Sequence, residues 1–226
     1  MNEKIILSAR HLYKQYGKGV TAVSALNDVS LDIHTGEFVC VTGESGSGKT
    51  TLLNSLGSLD TPDSGEIFFD NQDITKKKDN ELASYRRKSI GFIFQNYNLI
   101  PVLTVAENIV LPLNLDNTPP DTAYLDELLN LTGLTQKRNC FPHQLSGGQQ
   151  QRTAFIRALI HKPKLILADE PTGNLDSKNS REIIAILKTS VAKYNQALVL
   201  ISHDPAIAAQ SDKIFIMKDG CMTEGR

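Results

Sequence analysis

Hydrophobic positions along the chain follow two rhythms. Between Ile5 and Ile33 apolar and polar residues alternate in short runs, most clearly at Val29, Leu31 and Ile33. Strands with one buried face produce that pattern, because successive side chains point to opposite sides of a sheet. His34-Thr35-Gly36 reads as the turn that ends them, so the first lobe is expected to be antiparallel. Beyond it the alternation gives way to continuous apolar runs: Phe38-Val39-Cys40-Val41, then 165–168, 197–201 and 214–217. Such runs suit strands buried on both faces. Two further strands are expected at 66–69, after an Asp63-Ser64-Gly65 turn, and at 90–94.

Between these runs the apolar spacing is helical. Helices are predicted over 49–56 and near 81–88, and Thr104-Val105-Ala106-Glu107 forms a capping box that starts another. After the loop at Asn117-Thr118-Pro119-Pro120, Leu125, Leu128, Leu129 and Leu131 supply one apolar face that ends at Gly133. A helix runs from Ser146 toward Ile160, and another carries Ile183, Ile184, Leu187 and Val191. Strands alternating with helices imply a parallel sheet covered on both faces. The expectation is therefore an α/β fold in one domain, 1–226, with a mixed or parallel sheet core, an N-terminal antiparallel β lobe and a helical subdomain at about 96–160.

Composition narrows the partners. Lys and Arg total 24 against 25 Asp and Glu, so no global positive field exists to hold nucleic acid. Cys40, Cys140 and Cys221 are far apart and lack metal-site spacing, which fits a reducing compartment. No run of about 18 apolar residues occurs to span a bilayer, and the apolar stretch in MNEKIILSARH is too short for a signal peptide. The chain ends at Arg226 just past the last predicted strand, so no regulatory extension is expected.

Chemistry concentrates after the first buried run. Gly43-Glu44-Ser45-Gly46-Ser47-Gly48-Lys49-Thr50 satisfies G-x-x-x-x-G-K-[ST] between a strand and a helix, with Thr51 next. Its glycines let backbone N–H groups face a polyphosphate and Lys49 neutralises phosphate oxygens, while the Thr50 hydroxyl is suited to ligate Mg²⁺. The run at 165–168 leads into Asp169 and Glu170, two acids at the carboxyl edge of the sheet. Asp169 is the expected Mg²⁺ ligand and Glu170 the group that polarises the attacking water. The run Lys76-Lys77-Lys78, diluted by Asp79 and Glu81, reads as a solvated loop.

Many unrelated nucleotide hydrolases share those two features, whereas Leu145-Ser146-Gly147-Gly148-Gln149 is more specific. With Gln150-Gln151-Arg152 it resembles the signature of ATP-binding-cassette (ABC) ATPases, and the other family elements follow in family order along almost the whole chain. The resemblance implies that Tyr16 stacks on adenine, that Gln95 is the glutamine that touches Mg²⁺ and a mobile loop, and that Asn174-Leu175-Asp176 is the D-loop, placing Asp176 at ATP. It also makes His203 the switch histidine; His11, His34, His143 and His161 are read as structural or solvated. The cofactors implied are ATP and Mg²⁺.

The resemblance further implies a head-to-tail homodimer in which Ser146, Gly147, Gly148 and Gln149 of one chain complete the ATP site of the other. Segments such as Asn98-Leu99-Ile100-Pro101, 59–65 and 168–176 are similar to the exporter-like branch containing MacB, LolD, FtsE and BceA. Gln151-Arg152-Thr153 departs from the branch's usual arginine-valine and leans toward antimicrobial-peptide systems. Such a subunit works at the cytoplasmic face of the membrane on a separate permease, with Tyr97, Leu99 and Leu103 as the expected docking surface. An FtsE-like cell-division ATPase and an amino-acid importer ATPase are the alternatives; importers typically carry Ser-Ala where this chain has Gly173-Asn174. DNA-repair and translation ATPases fit poorly, since the chain has neither a long coiled coil nor a second cassette.

Overall fold

The computed structural model describes residues 4–173 and 177–225. Ten strands and seven helices lie among them: β1 (Ile5–Tyr16), β2 (Val23–His34), β3 (Phe38–Gly43), α1 (Lys49–Leu56), β4 (Ser64–Phe69), β5 (Gln72–Asp73), α2 (Asp79–Ser89), β6 (Ile90–Ile93), α3 (Val105–Leu115), α4 (Thr122–Leu131), α5 (Gly147–Leu159), β7 (Leu165–Asp169), α6 (Ser177–Tyr194), β8 (Ala197–Ile201), α7 (Pro205–Ala208), β9 (Lys213–Lys218) and β10 (Cys221–Glu224). They form two sheets. One is antiparallel in the order β2-β1-β4-β5; the other runs β10-β9-β3-β8-β7-β6 and is parallel except for β10.

Alternation along the central strands sorts the core into two halves. Phe38, Cys40, Ile166, Ala168, Leu198 and Leu200 face a layer built from α3, α4, α5 and α6. Val39, Val41, Leu165, Leu167, Val199 and Ile201 face α1, α2 and the antiparallel sheet. Both faces of the parallel sheet are therefore dry, and period-2 alternation is invisible in its sequence because both side-chain sets are apolar. Full burial of each such side chain contributes about 1.5–3 kcal/mol. Of the helices facing Phe38 and Cys40, α3, α4 and α5 fall within 96–160, whereas α6 lies beyond it.

Local differences from the expectations have local causes. The short runs of the first lobe are two strands of 12 residues each; register shifts such as that between Ala9 and Leu12 interrupt their alternation. Ser64 and Gly65 open β4 instead of forming a turn: Gly65 (φ +101°) lies so close to β1 that an added Cβ would stand 2.4 Å from the His11 carbonyl oxygen. Strand β6 ends at Ile93, one residue short of Phe94. Leu131 is 54% exposed, not part of the α4 core face, because it lies two residues beyond Leu129, far off the stripe of Leu125, Leu128 and Leu129.

Candidate active site

The carboxyl ends of β3, β7 and β8 come together at one edge of the parallel sheet. The loop between β3 and α1 is held close to its surroundings. An added Cβ at Gly43 (φ +144°) would stand 2.2 Å from the Met217 carbonyl oxygen, and one at Gly48 (φ +104°) 2.1 Å from that of Ala25. Only glycine fits either position. Gly46 (φ +79°) has open space where its Cβ would point. The Lys49 ammonium donates to the carbonyl oxygens of Gly43 (2.9 Å) and Glu44 (2.7 Å), which centres a buried cation in the loop. The Ser47 hydroxyl lies 3.5 Å from it.

Facing the loop, β7 delivers its acids. The Thr50 hydroxyl donates to Asp169 Oδ2 at 2.9 Å, joining the start of α1 to the end of β7. Burial pushes the Asp169 carboxyl above the ordinary range, the Thr50 hydrogen bond opposes this, and the charge of Glu170 adds to it. Glu170 has φ +44°, in the left-handed region, where a residue with a Cβ is strained. Backbone bonds hold it there: its N–H donates to the Ile201 carbonyl at 3.1 Å, and its carbonyl accepts from Gly173 N–H at 3.1 Å. The Glu170 carboxylate lies 3.5 Å from Nδ1 of His203, just beyond β8, whose side chain is 72% exposed.

A cavity of about 570 Å³ lies over this edge. Tyr16, Gly43, Ser45, Gly46, Gly48, Lys49, Thr50 and Thr51 line it together with Gln95, Asp169, Glu170 and His203. Residues from five separate stretches of the chain thus meet at one hollow. Glu44 and Ser47 support it through Lys49 without lining it. Val23 and Ala25 complete the wall beside Tyr16; the sequence offers only a faint signal for them, a valine left 59% exposed on a strand.

Ser146, Gly147, Gly148 and Gln149 do not line this cavity. They form the exposed amino end of α5, where the Ser146 side chain accepts from Gln149 N–H and the Gln149 side chain accepts from Ser146 N–H. Asn174, Leu175 and Asp176 lie outside the described residues. Two supports had no reading in the sequence. Buried Gln151 donates from α5 to the Pro171 carbonyl directly after Glu170, and Arg157 donates to the carbonyls of Tyr97 (2.9 Å) and Asn98 (2.7 Å), just after Gln95. A polar side chain on a helix gives no sign of its distant partner.

Comparison with known proteins identifies the family. The family model described as ABC transporter matches residues 26–173. The chain is 40% identical over 217 residues to the bacitracin export ATP-binding protein BceA of Halalkalibacterium halodurans, covering 95% of this chain and 86% of that protein. It is 38% identical over 222 residues to the lipoprotein-releasing system ATP-binding protein LolD of Shewanella frigidimarina, covering 97% and 93%. A solved dimeric ATP-binding cassette in a post-hydrolysis state, bound to ADP and Pi, superposes with a TM-score of 0.90 at 40% identity over 97% of this chain and 99% of that one. With this match, these relatives and this fold, the chain belongs to the ABC transporter family, as an ATP-binding and ATP-hydrolysing subunit of the branch that includes BceA and LolD.

Proposed function

We propose that two copies of this chain close head to tail on two MgATP molecules and drive a separate membrane permease. The observation that carries the reading is the edge where Thr50, Asp169, Glu170 and His203 meet the glycine loop in one cavity. The Thr50 hydroxyl and Asp169 carboxylate, 2.9 Å apart, are hard oxygen donors of the kind magnesium takes, and Gln95, in the lining of the same cavity, would add a third. Held by these residues, Mg²⁺ would supply positive charge against the phosphate oxygens. Loop N–H groups and Lys49 hold the β and γ oxygens, Tyr16 stacks on the adenine, and Glu170 orients a water for in-line attack, with His203 at the γ-phosphate.

Ser146, Gly147, Gly148 and Gln149 serve the other chain. Their exposed helix amino end is suited to an anion and stands outside their own cavity, so in the dimer they face the γ-phosphate held by the partner. The family resemblance assigns Asp176, which lies outside the described residues, to the same interface. ATP then acts as the cement of the dimer and hydrolysis as its release.

The membrane partner is assigned to a second hollow, an apolar groove of about 340 Å³ lined by Phe92, Phe94, Leu111 and Leu115, with Arg86 and Arg87 at its margin. It adjoins the segment after Gln95, where Tyr97, Leu99 and Leu103 are half-buried and Val102 is 78% exposed. Among the described residues no helix is long and apolar enough to cross a membrane, which suits a subunit that works at the cytoplasmic face through a permease. By likeness to BceA and LolD, the cargo is an antimicrobial peptide, an antibiotic or a lipoprotein, exported or moved by transmitted force. Purifying the Glu170→Gln protein from its host with MgATP in mild detergent, with mass spectrometry of what accompanies it, tests the partner. The expected companion is a permease with few spans and a large extracytoplasmic domain; an importer permease with a binding protein, or only soluble companions, would overturn the assignment.

A further inference from the structure

We propose that Asp60 is a positioning residue for the nucleotide site, acting through the ring of Tyr16; this rests on the reading of Tyr16 as the platform for the base. Tyr16 is the last residue of β1, 44% exposed at the rim of the cavity. A tyrosine so placed, next to Gly17 (φ +76°), has little packing of its own to choose its rotamer. The loop 57–63 supplies the restraint. The Tyr16 hydroxyl donates to Asp60 Oδ2, while Asp60 Oδ1 lies 2.8 Å from the Lys14 ammonium. Lys14 also donates to the Thr61 carbonyl at 2.6 Å, and its ammonium stands 5.4 Å from the centre of the Tyr16 ring.

Backbone bonds fix the carboxylate. Leu59 N–H (2.8 Å) and Asp60 N–H (3.3 Å) donate to the Asn54 carbonyl, Asp63 N–H donates to Tyr13 O (2.8 Å), and Gln15 N–H donates to Asp63 Oδ2 (2.7 Å). Asn54 belongs to α1, the helix that starts at Lys49. The platform and the phosphate loop are therefore referenced to the same helix, and Asp60 is the joint between them. Its carboxyl is held below the ordinary range by Lys14 and Tyr16 against the cost of burial, so it stays an ionised acceptor. A hydrogen bond to a charged acceptor holds a ring more firmly than one between neutral groups.

This arrangement separates base binding from phosphate binding. Asp60→Ala and Tyr16→Phe each remove the tether between Asp60 and the ring, and each is expected to raise the KM for ATP about five-fold, a part of what one such hydrogen bond is worth, with kcat little changed. The double variant is expected to show no more than the Tyr16→Phe rise and not the product of the two, because Tyr16→Phe already removes the link to Asp60 together with the weaker one to Thr51. The inhibition constant of inorganic tripolyphosphate, which has no base, is expected to stay at the wild-type value in all three. Multiplicative KM effects, or an equal weakening of tripolyphosphate, would show that Asp60 only supports the loop and α1, and the proposal would fail. Tyr16→Ala separates the underlying reading: if its KM for ATP is unchanged, Tyr16 is not the base platform; if it rises while that of Asp60→Ala does not, the ring needs no positioning by Asp60.

Discussion

Asp169 shows how a single residue carries function against stability. Burial raises its carboxyl above the ordinary range, so the folded chain holds this proton more tightly than the unfolded chain. The contribution to stability is complete below the ordinary carboxylate value and is lost as pH rises through the raised one. At pH 8 the ionised group is carried at a cost. Asp169→Asn keeps the shape and an acceptor for Thr50 but removes the charge. Its Tm without nucleotide is expected to exceed the wild-type value at pH 8 and to converge on it as pH falls into the ordinary carboxylate range, while MgATP no longer stabilises it and hydrolysis falls about 100-fold. Thermal melts across pH check this; a variant less stable at pH 8 would contradict it. The acids and the glycine loop were legible in the sequence because their spacing is local. The left-handed Glu170, the Gln151 support and the Asp60 joint were not, since each depends on a neighbour distant in the chain.

Among the elements, the loop between β6 and α3 is organised by one buried side chain. Asn108 Oδ1 accepts from Ile100 N–H at 2.7 Å, and its amide donates to the carbonyls of Ile100, Leu103 and Thr104 at 3.1, 2.9 and 3.0 Å. Asn108→Ala leaves these groups without that partner and is expected to cost about 2 kcal/mol in urea unfolding. It should also weaken permease binding, since this loop adjoins the apolar groove. A loss below about 0.5 kcal/mol would show that the loop holds itself together. The continuous apolar runs of β3, β7 and β8 and the helical apolar spacing of α4 and α6 were readable in the sequence alone. Strands β5 and β10 were not: Gln72-Asp73 and Cys221-Met222-Thr223-Glu224 are short, largely polar edge strands, and their pairing with β4 and β9 supplies what their side chains do not signal. The first lobe was legible as antiparallel, but its bulges hid how long its strands are.

For the whole molecule, the fold explains why one copy is incomplete. The parallel sheet gathers the phosphate loop, both acids and His203 at one edge, while the amino end of α5 presents Ser146 outside that cavity. In the proposed dimer a second chain brings the two halves together, and ATP bound between them would link dimer closure to hydrolysis. On the proposed mechanism Glu170→Gln removes the carboxylate that orients the attacking water and leaves the binding surfaces intact, so the closed state should accumulate. Light scattering of that variant with and without saturating MgATP is the most direct test. The account predicts a monomer without nucleotide, a dimer of twice the mass with MgATP, and reversion to monomer when Ser146→Arg is added to block the interface. A Glu170→Gln protein that stays monomeric at saturating MgATP would contradict it.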